Sequence, residues 1–232
     1  MNVFSIFRSF DGEVNAFDGI GQPSVFVRFA GCNLLCAYCD TTYARKKTAP
    51  HTVLDPDELM EKIRMFGCRK VTLTGGEPLL QDHMELRVLF DLLRRGEIQT
   101  TVETNGSLGL LLSERDITWI RYVMDYKLPS SGMEKNMISQ MLPCYGLDPD
   151  LDFVKFIVGT PEDIERAFTI IRLNPQYKFA VSPLWGSMGV NELKRRVLSE
   201  EASMKGNTHG IHLSVQMHKL CDWKEESNGK ES

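Results

Sequence analysis

The sequence predicts an α/β fold, an incomplete (β/α) barrel of about six to seven parallel strands. Short apolar, β-branched runs alternate with helix signals, the pattern of β/α units around a parallel sheet. About seven such runs occur in 232 residues, short of the roughly 250 residues typical of a closed eight-stranded barrel. Glycine or polar residues follow several strand ends directly, at Gly31, Gly75, Asn105, Lys127 and Pro183. In such sheets the functional loops follow the carboxyl ends of the strands, so these positions are expected to converge on one face.

Taken in order, residues 25–29 (VFVRF) read as the first strand and 71–74 as the second. Residues 100–103, 122–125, 153–158, 179–182 and 211–215 continue the series. Asp55 before Pro56 reads as an N-cap with proline at the first helical position, and Asp57 and Glu58 suit the positive end of the helix dipole. Thr160, Pro161 and Asp163 repeat that arrangement ahead of residues 164–173, and 86–94 is a third amphipathic stretch. No internal repeat or low-complexity linker divides the chain. Residues 1–221 therefore read as one domain and 222–232 (DWKEESNGKES) as a polar, frayed tail.

A hydrophobic fraction of 42% with 25% charged residues suits a globular protein that buries its own core without disulfides. The net charge of −4 gives no general pull toward nucleic acid or an anionic membrane. An anionic ligand must then be held by a local cluster of cations or backbone N–H groups. No run approaches the roughly 20 apolar residues of a bilayer span. Residues 1–13 lack a basic stretch followed by an apolar one, so the expected location is the cytoplasm.

Three of the six cysteines crowd into Cys32-Asn-Leu-Leu-Cys36-Ala-Tyr-Cys39, just after the first expected strand. Thiolates this close, without an export signal, point to a metal site in a reducing compartment. Soft sulfur selects zinc, copper(I) or an iron–sulfur cluster. A structural zinc takes four closed ligands, and no cysteine or histidine lies near enough in sequence to be an obvious fourth. A four-iron cluster on three cysteines keeps one iron open for a cofactor. Thr74-Gly75-Gly76-Glu77-Pro78 ends the second expected strand, where glycines let backbone pass close to a ligand. Glu103-Thr104-Asn105-Gly106 ends the third; read alone it is an ordinary Asn-Gly turn.

CxxxCxxC with Tyr38 before the last cysteine resembles the signature of the radical S-adenosylmethionine superfamily. The resemblance narrows to the 7-carboxy-7-deazaguanine synthase family on residues 9–13 (SFDGE), 21–34 (GQPSVFVRFAGCNL), Cys39-Asp40-Thr41, 74–81 (TGGEPLLQ), 102–107 (VETNGS), 125–132 (DYKLPSSG) and 216–219 (QMHK). These landmarks run in order along nearly the whole chain. The resemblance implies a barrel of the radical S-adenosylmethionine type, with a 4Fe-4S cluster on Cys32, Cys36 and Cys39, S-adenosylmethionine and Mg²⁺. It implies that 6-carboxy-5,6,7,8-tetrahydropterin is converted by radical ring contraction, with loss of ammonia, to 7-carboxy-7-deazaguanine for 7-deazapurine (queuosine) synthesis. An electron donor such as flavodoxin or ferredoxin and a homodimer are further implications.

Carried onto single positions, the resemblance gives Thr41 to Mg²⁺, with its hard hydroxyl oxygen. It gives Tyr38, Cys39, Asp40, Gly76, Glu77, Glu103, Asn105, Asp125, Tyr126, Lys127, Ser182, Pro183 and Leu184 to the cofactor. Phe10, Asp11, Gly12, Glu13, Arg28, Thr74 and His218 go to the substrate. Arg28, whose fork suits a carboxylate, precedes the cluster loop by a few residues. Departures exist: Gly12-Glu13-Val14 stands where many members have GEG, some members have glutamine at the place of Asp11, and residues 220–232 lack the C-terminal proline some members use to close the pocket. Cys68, Cys144 and Cys221 match no ligand position and read as incidental thiols. The competing readings are an activase that installs a glycyl radical in a protein partner, and a non-catalytic metal or electron-transfer module.

Overall fold

The computed structural model describes residues 1–17, 20–110, 118–204 and 209–221, with His218 described by its backbone alone. The tail at 222–232 lies outside the described residues. Nine strands form one open sheet: β1 (Asn2–Phe10), β2 (Pro23–Phe29), β3 (Thr52–Val53), β4 (Lys70–Gly75), β5 (Gln99–Thr104), β6 (Ile120–Asp125), β7 (Phe153–Val158), β8 (Lys178–Pro183) and β9 (Ile211–Leu213). Their spatial order is β3-β1-β2-β4-β5-β6-β7-β8-β9. From β2 through β9 in that order every pairing is parallel, while β1 runs antiparallel to both β2 and β3. The seven expected strands are the parallel ones. Ahead of them lies β1, an antiparallel strand between β3 and β2 that the sequence pattern does not predict.

Six helices complete the chain: α1 (Thr42–Arg45), α2 (Pro56–Arg64), α3 (His83–Arg95), α4 (Pro161–Leu173), α5 (Val190–Ser203) and α6 (Met217–Cys221). The starts of α2 and α4 are complete capping boxes, Asp55 with Glu58 and Thr160 with Asp163. Each cap stabilises its helix by about 1 kcal/mol. Apolar stripes (Leu59 and Ile63 on α2; Leu86, Leu89, Phe90 and Leu93 on α3; Ile164, Phe168 and Ile171 on α4) are buried in the main core. Among the described residues no helix is long and apolar enough to cross a membrane.

Strand parity decides which residues see that core. Val25, Val27 and Phe29 on β2, Val71 and Leu73 on β4, Val102 on β5, Tyr122 and Met124 on β6, and Val154, Phe156 and Val158 on β7 belong to it. Successive side chains on a strand point to opposite faces. The alternate residues Arg28, Thr74, Glu103, Asp125 and Lys155 therefore project to the other face, where they line one cavity of about 480 Å³.

Candidate active site

The cluster loop leaves β2 and turns at Gly31, whose φ of +92° lies in the left-handed region that favours glycine. Backbone bonds then hold the loop in place: Gly31 N donates to Ala44 O at 2.8 Å, and Cys32 N to Arg45 O at 2.8 Å. From the opposite side Glu77 N donates to Gly31 O at 2.8 Å, and Ala37 N to Ser131 O at 3.0 Å. Cys32, Cys36 and Cys39 all line the cavity. Burial pushes the Cys32 and Cys36 thiols up, so a metal must displace their protons to bind.

Two donors already face the first sulfur, Leu34 N at 3.4 Å and Asn105 Nδ2 at 3.6 Å from Cys32 Sγ. Hydrogen bonds to cluster sulfurs are one of the means by which a protein tunes such a centre. Among the described residues no three His, Cys, Asp or Glu groups are gathered at closed metal-binding geometry. The fit to an iron–sulfur cluster therefore rests on the donor chemistry and on the shared cavity. On both counts the residues suit it.

The glycines after β4 serve packing first. A Cβ on Gly76 would lie 1.9 Å from Gly31 O, and one on Gly75 would lie 2.3 Å from Phe29 N. Close approach of backbone to backbone, at the seam between β4 and the cluster loop, is what requires glycine here. Glu77 turns inward and is fully buried. Its carboxylate accepts from Leu79 N at 3.0 Å, Thr104 Oγ1 at 2.8 Å and Asn105 N at 2.7 Å. Burial pushes its carboxyl up, against the pull of these donors. Glu77 does not line the cavity; it clamps the end of β4 to the end of β5.

Beyond the thiols the wall continues with Tyr38, Asp125 and Lys127. Lys127 Nζ lies 2.8 Å from Asp125 Oδ2. The Tyr38 hydroxyl and Asp125 Oδ1 are buried without a hydrogen-bond partner. Buried polar groups are normally satisfied, so an orphaned acceptor and hydroxyl facing a cavity suit a polar ligand. An amino group or a ribose hydroxyl, both present in S-adenosylmethionine, would meet that need. Gly76, Asn105 and Leu184 also line the cavity, and Glu103 accepts from Thr74 Oγ1 at 2.8 Å. Tyr126, Ser182 and Pro183 do not line it. All three are buried, and the Tyr126 ring packs 5.8 Å from that of Phe156 on the core side. Parity sends Tyr126 and Pro183 to the core side, whereas Ser182 alternates with core Val181 and pairs with the cavity-lining Ile157, which puts it on the cavity face of β8 behind the residues that border the cavity.

The far end is assembled differently. Asp11 is buried and committed to the protein: Lys70 Nζ lies 3.0 Å and Asn15 Nδ2 3.1 Å from its Oδ2, and Thr72 Oγ1 donates to Oδ1 at 3.0 Å. Burial pushes its carboxyl up and the Lys70 ammonium opposes this. Asp11 thus anchors its segment, and it also lines the cavity, as the expected substrate role requires. Glu13 meets Lys155 Nζ at 2.9 Å and Gln216 Nε2 at 3.0 Å. Phe10 is half exposed at the rim, and the Gly12 carbonyl accepts from Met217 N at 2.9 Å. Arg28 donates to Thr41 Oγ1 at 3.4 Å, and its guanidinium lies 5.6 Å and 5.7 Å from the ring centroids of Phe7 and Tyr43. Thr41 in turn donates to Asp40 Oδ1 at 3.1 Å. Burial alone would raise the Asp40 carboxyl; the Lys219 ammonium 3.2 Å away, with the Thr41 hydroxyl, holds it below the usual range. The side chain of His218 lies outside the described residues.

Lys155, Gln216 and Lys219 also line the cavity, and no role was expected for them. For Lys155 a signal existed, since a lysine in the apolar run FVKFIV (Phe153–Val158) asks for a buried partner. Gln216 and Lys219 gave only a family landmark.

With this geometry established, comparison with known proteins is direct. The Radical SAM superfamily model matches residues 26–125. The 7-carboxy-7-deazaguanine synthase of Clostridium acetobutylicum is 36% identical over 216 residues, covering 90% of this chain and 91% of that protein. That of Hyperthermus butylicus is 39% identical over 229 residues, covering 94% and 93%. In three dimensions the chain is similar to the crystal structure of QueE from Escherichia coli, with a TM-score of 0.69, 22% identity and 94% of each chain covered. That likeness shows the fold, an open and mostly parallel sheet of the incomplete-barrel kind. From cluster loop to C-terminal segment, the chain belongs to the 7-carboxy-7-deazaguanine synthase family.

Proposed function

We propose that the protein carries out the radical ring contraction of 6-carboxy-5,6,7,8-tetrahydropterin to 7-carboxy-7-deazaguanine, with loss of ammonia, in 7-deazapurine synthesis. The observation that carries this reading is that the three-thiol loop and the polar segment at residues 10–13 open into one cavity. Cys32, Cys36 and Cys39 would hold a 4Fe-4S cluster that, with S-adenosylmethionine bound, supplies one-electron chemistry able to remove a hydrogen atom from a substrate carbon. The protein's own groups bind, orient and keep charge. Asp125, held by Lys127, and the Tyr38 hydroxyl offer polar partners to the cofactor. Arg28 offers its guanidinium to the substrate carboxylate from between two aromatic rings.

Thr41 and the ionised Asp40 supply hard oxygens beside Arg28, which suits a Mg²⁺ ion that keeps several of its waters. Reduction by a flavodoxin- or ferredoxin-type donor, a homodimeric assembly and a cytoplasmic location complete the reading. The test is anaerobic reconstitution with iron and sulfide, followed by mass analysis after incubation with dithionite, S-adenosylmethionine and 6-carboxytetrahydropterin. The expected product is 7-carboxy-7-deazaguanine; cofactor cleavage without it overturns the substrate assignment. Thr41→Ala should leave iron content unchanged and raise the Mg²⁺ requirement about tenfold or more, the range seen when a metal's supporting groups are altered. An unchanged Mg²⁺ titration would remove Thr41 from that role.

A further inference from the structure

We propose that Lys155 is a positioning residue for substrate recognition, fixing the Glu13 carboxylate over the cavity. The inference rests on the proposed assignment of residues 10–13 to the substrate and adds how that segment is held. Glu13 lies beyond the end of β1, in a stretch without strand or helix, so local structure does not set its place. Two distant elements do. Lys155 Nζ meets Oε2 at 2.9 Å, and Gln216 Nε2 donates to Oε1 at 3.0 Å. Flanking ties, Val14 N to Ser214 Oγ at 3.0 Å and Met217 N to Gly12 O at 2.9 Å, seat the segment against the C-terminal stretch but leave the carboxylate's direction to its own partners.

Lys155 has the rigid base such a task needs. It stands on β7, which pairs with β6 on one side and β8 on the other. Its neighbours Val154 and Phe156 are locked in the core on the opposite face. A group held on a packed strand positions a ligand contact more accurately than one on a loop. The ion pair is also sheltered, with side-chain exposures of 9% for Lys155 and 17% for Glu13. Burying such a pair is weak evidence of a stability role, because desolvation offsets much of the attraction. Within an apolar run, a lysine here is better explained by orientation.

The electrostatic setting agrees. Glu103 and Asp125 act on the Lys155 ammonium besides Glu13, and all three carboxylates line the same cavity. Asp125 keeps its own cation in Lys127, so loss of the Lys155 ammonium falls chiefly on Glu13 and Glu103. Glu103 retains the Thr74 hydroxyl. Glu13, on the segment with least local structure, has most freedom to turn away.

A double-mutant cycle on the reconstituted holoenzyme tests this. Lys155→Met should raise KM for 6-carboxytetrahydropterin about tenfold or more while kcat falls much less, the signature of lost uniform binding. Binding of S-adenosylmethionine should stay within about twofold, and Lys155→Arg should recover part of the loss. In the Glu13→Gln background the same Lys155→Met change should add less than about twofold, because the two groups act as a unit. Independent, multiplicative effects would overturn the proposal. Hydrogen exchange over residues 11–17 in the substrate-free protein gives a readout that needs no turnover. It should quicken alike in Lys155→Met and Glu13→Gln, and unchanged exchange in both would also overturn it. Should the wild-type protein fail to convert 6-carboxytetrahydropterin, the substrate reading falls, while the exchange measurement still decides whether Lys155 holds Glu13.

Discussion

At the cluster end of the cavity three thiols come from one short loop, whereas at the other end the Glu13 carboxylate is held by partners 142 and 203 residues away in the chain. The loop needs little from the rest of the fold to bring its sulfurs together, since spacing alone keeps them near one another. The Glu13 end exists only once β7 and the C-terminal stretch have packed. On the proposed function, the cluster chemistry belongs to the locally specified end. On the same reading, substrate recognition belongs to the dispersed end. Mutations at the first should therefore act all or none, and those at the second should be graded and coupled.

The largest effect is expected from Cys36→Ala. It removes one of three ligands with no replacement nearby, so iron content, visible absorbance and 5′-deoxyadenosine formation should all be lost. Retained cofactor cleavage would refute the cluster assignment and the contrast built on it. Next comes Gly76→Ala at the seam between β4 and the cluster loop. Its Cβ would stand 1.9 Å from Gly31 O, forcing β4 away from the cluster loop and weakening the bond from Glu77 N to Gly31 O. Overpacking of this kind with loss of a buried hydrogen bond costs about 2–4 kcal/mol, which urea unfolding measures. Iron loading should fall with stability; a stable variant that loads iron fully would mean the seam yields more easily than its geometry implies.

The smallest effect belongs to Lys219→Ala, which cuts the tie from the C-terminal helix to Asp40. Asp40 titrates in the fold below its unfolded value of about 3.9. Its pairing therefore contributes stability that is fully present above that value and is lost as pH falls through the lowered one. Parent and variant should differ slightly at neutral pH and converge in acid, because the Asp40 side chain is half exposed and water screens the pair. Carboxyl NMR should place the Asp40 titration closer to the ordinary range in the variant. No movement would show that the C-terminal segment leaves the cluster loop's charge untouched, and the two ends would be more separate than argued above.

Much of this was readable in one dimension, for reasons that differ by element. The parallel strands announced themselves because a strand covered on both faces is almost continuously apolar, as FVKFIV is. Helices α2 and α4 carried their caps in the sequence, whereas α5 begins at Gly189 with no side-chain cap and went unanticipated. Strand β1 also escaped notice, since its residues alternate less cleanly between buried and exposed. At the site, the cysteine spacing points to the metal chemistry, yet Tyr126 and Pro183 stand in the right segments and face the core, and Glu77 is spent on holding β4 to β5.

What the chain determined by itself was the set of elements and the cluster loop, because periodicity, capping and ligand spacing are relations among near neighbours. Only the packed sheet decided that Glu77 turns inward as a clamp, that Asp11 pairs with Lys70, and that Lys155 meets Glu13. Those outcomes depend on strand parity and on contacts between residues far apart in sequence. A one-residue change of phase along β7 would point Lys155 into the core and leave Glu13 without its cation.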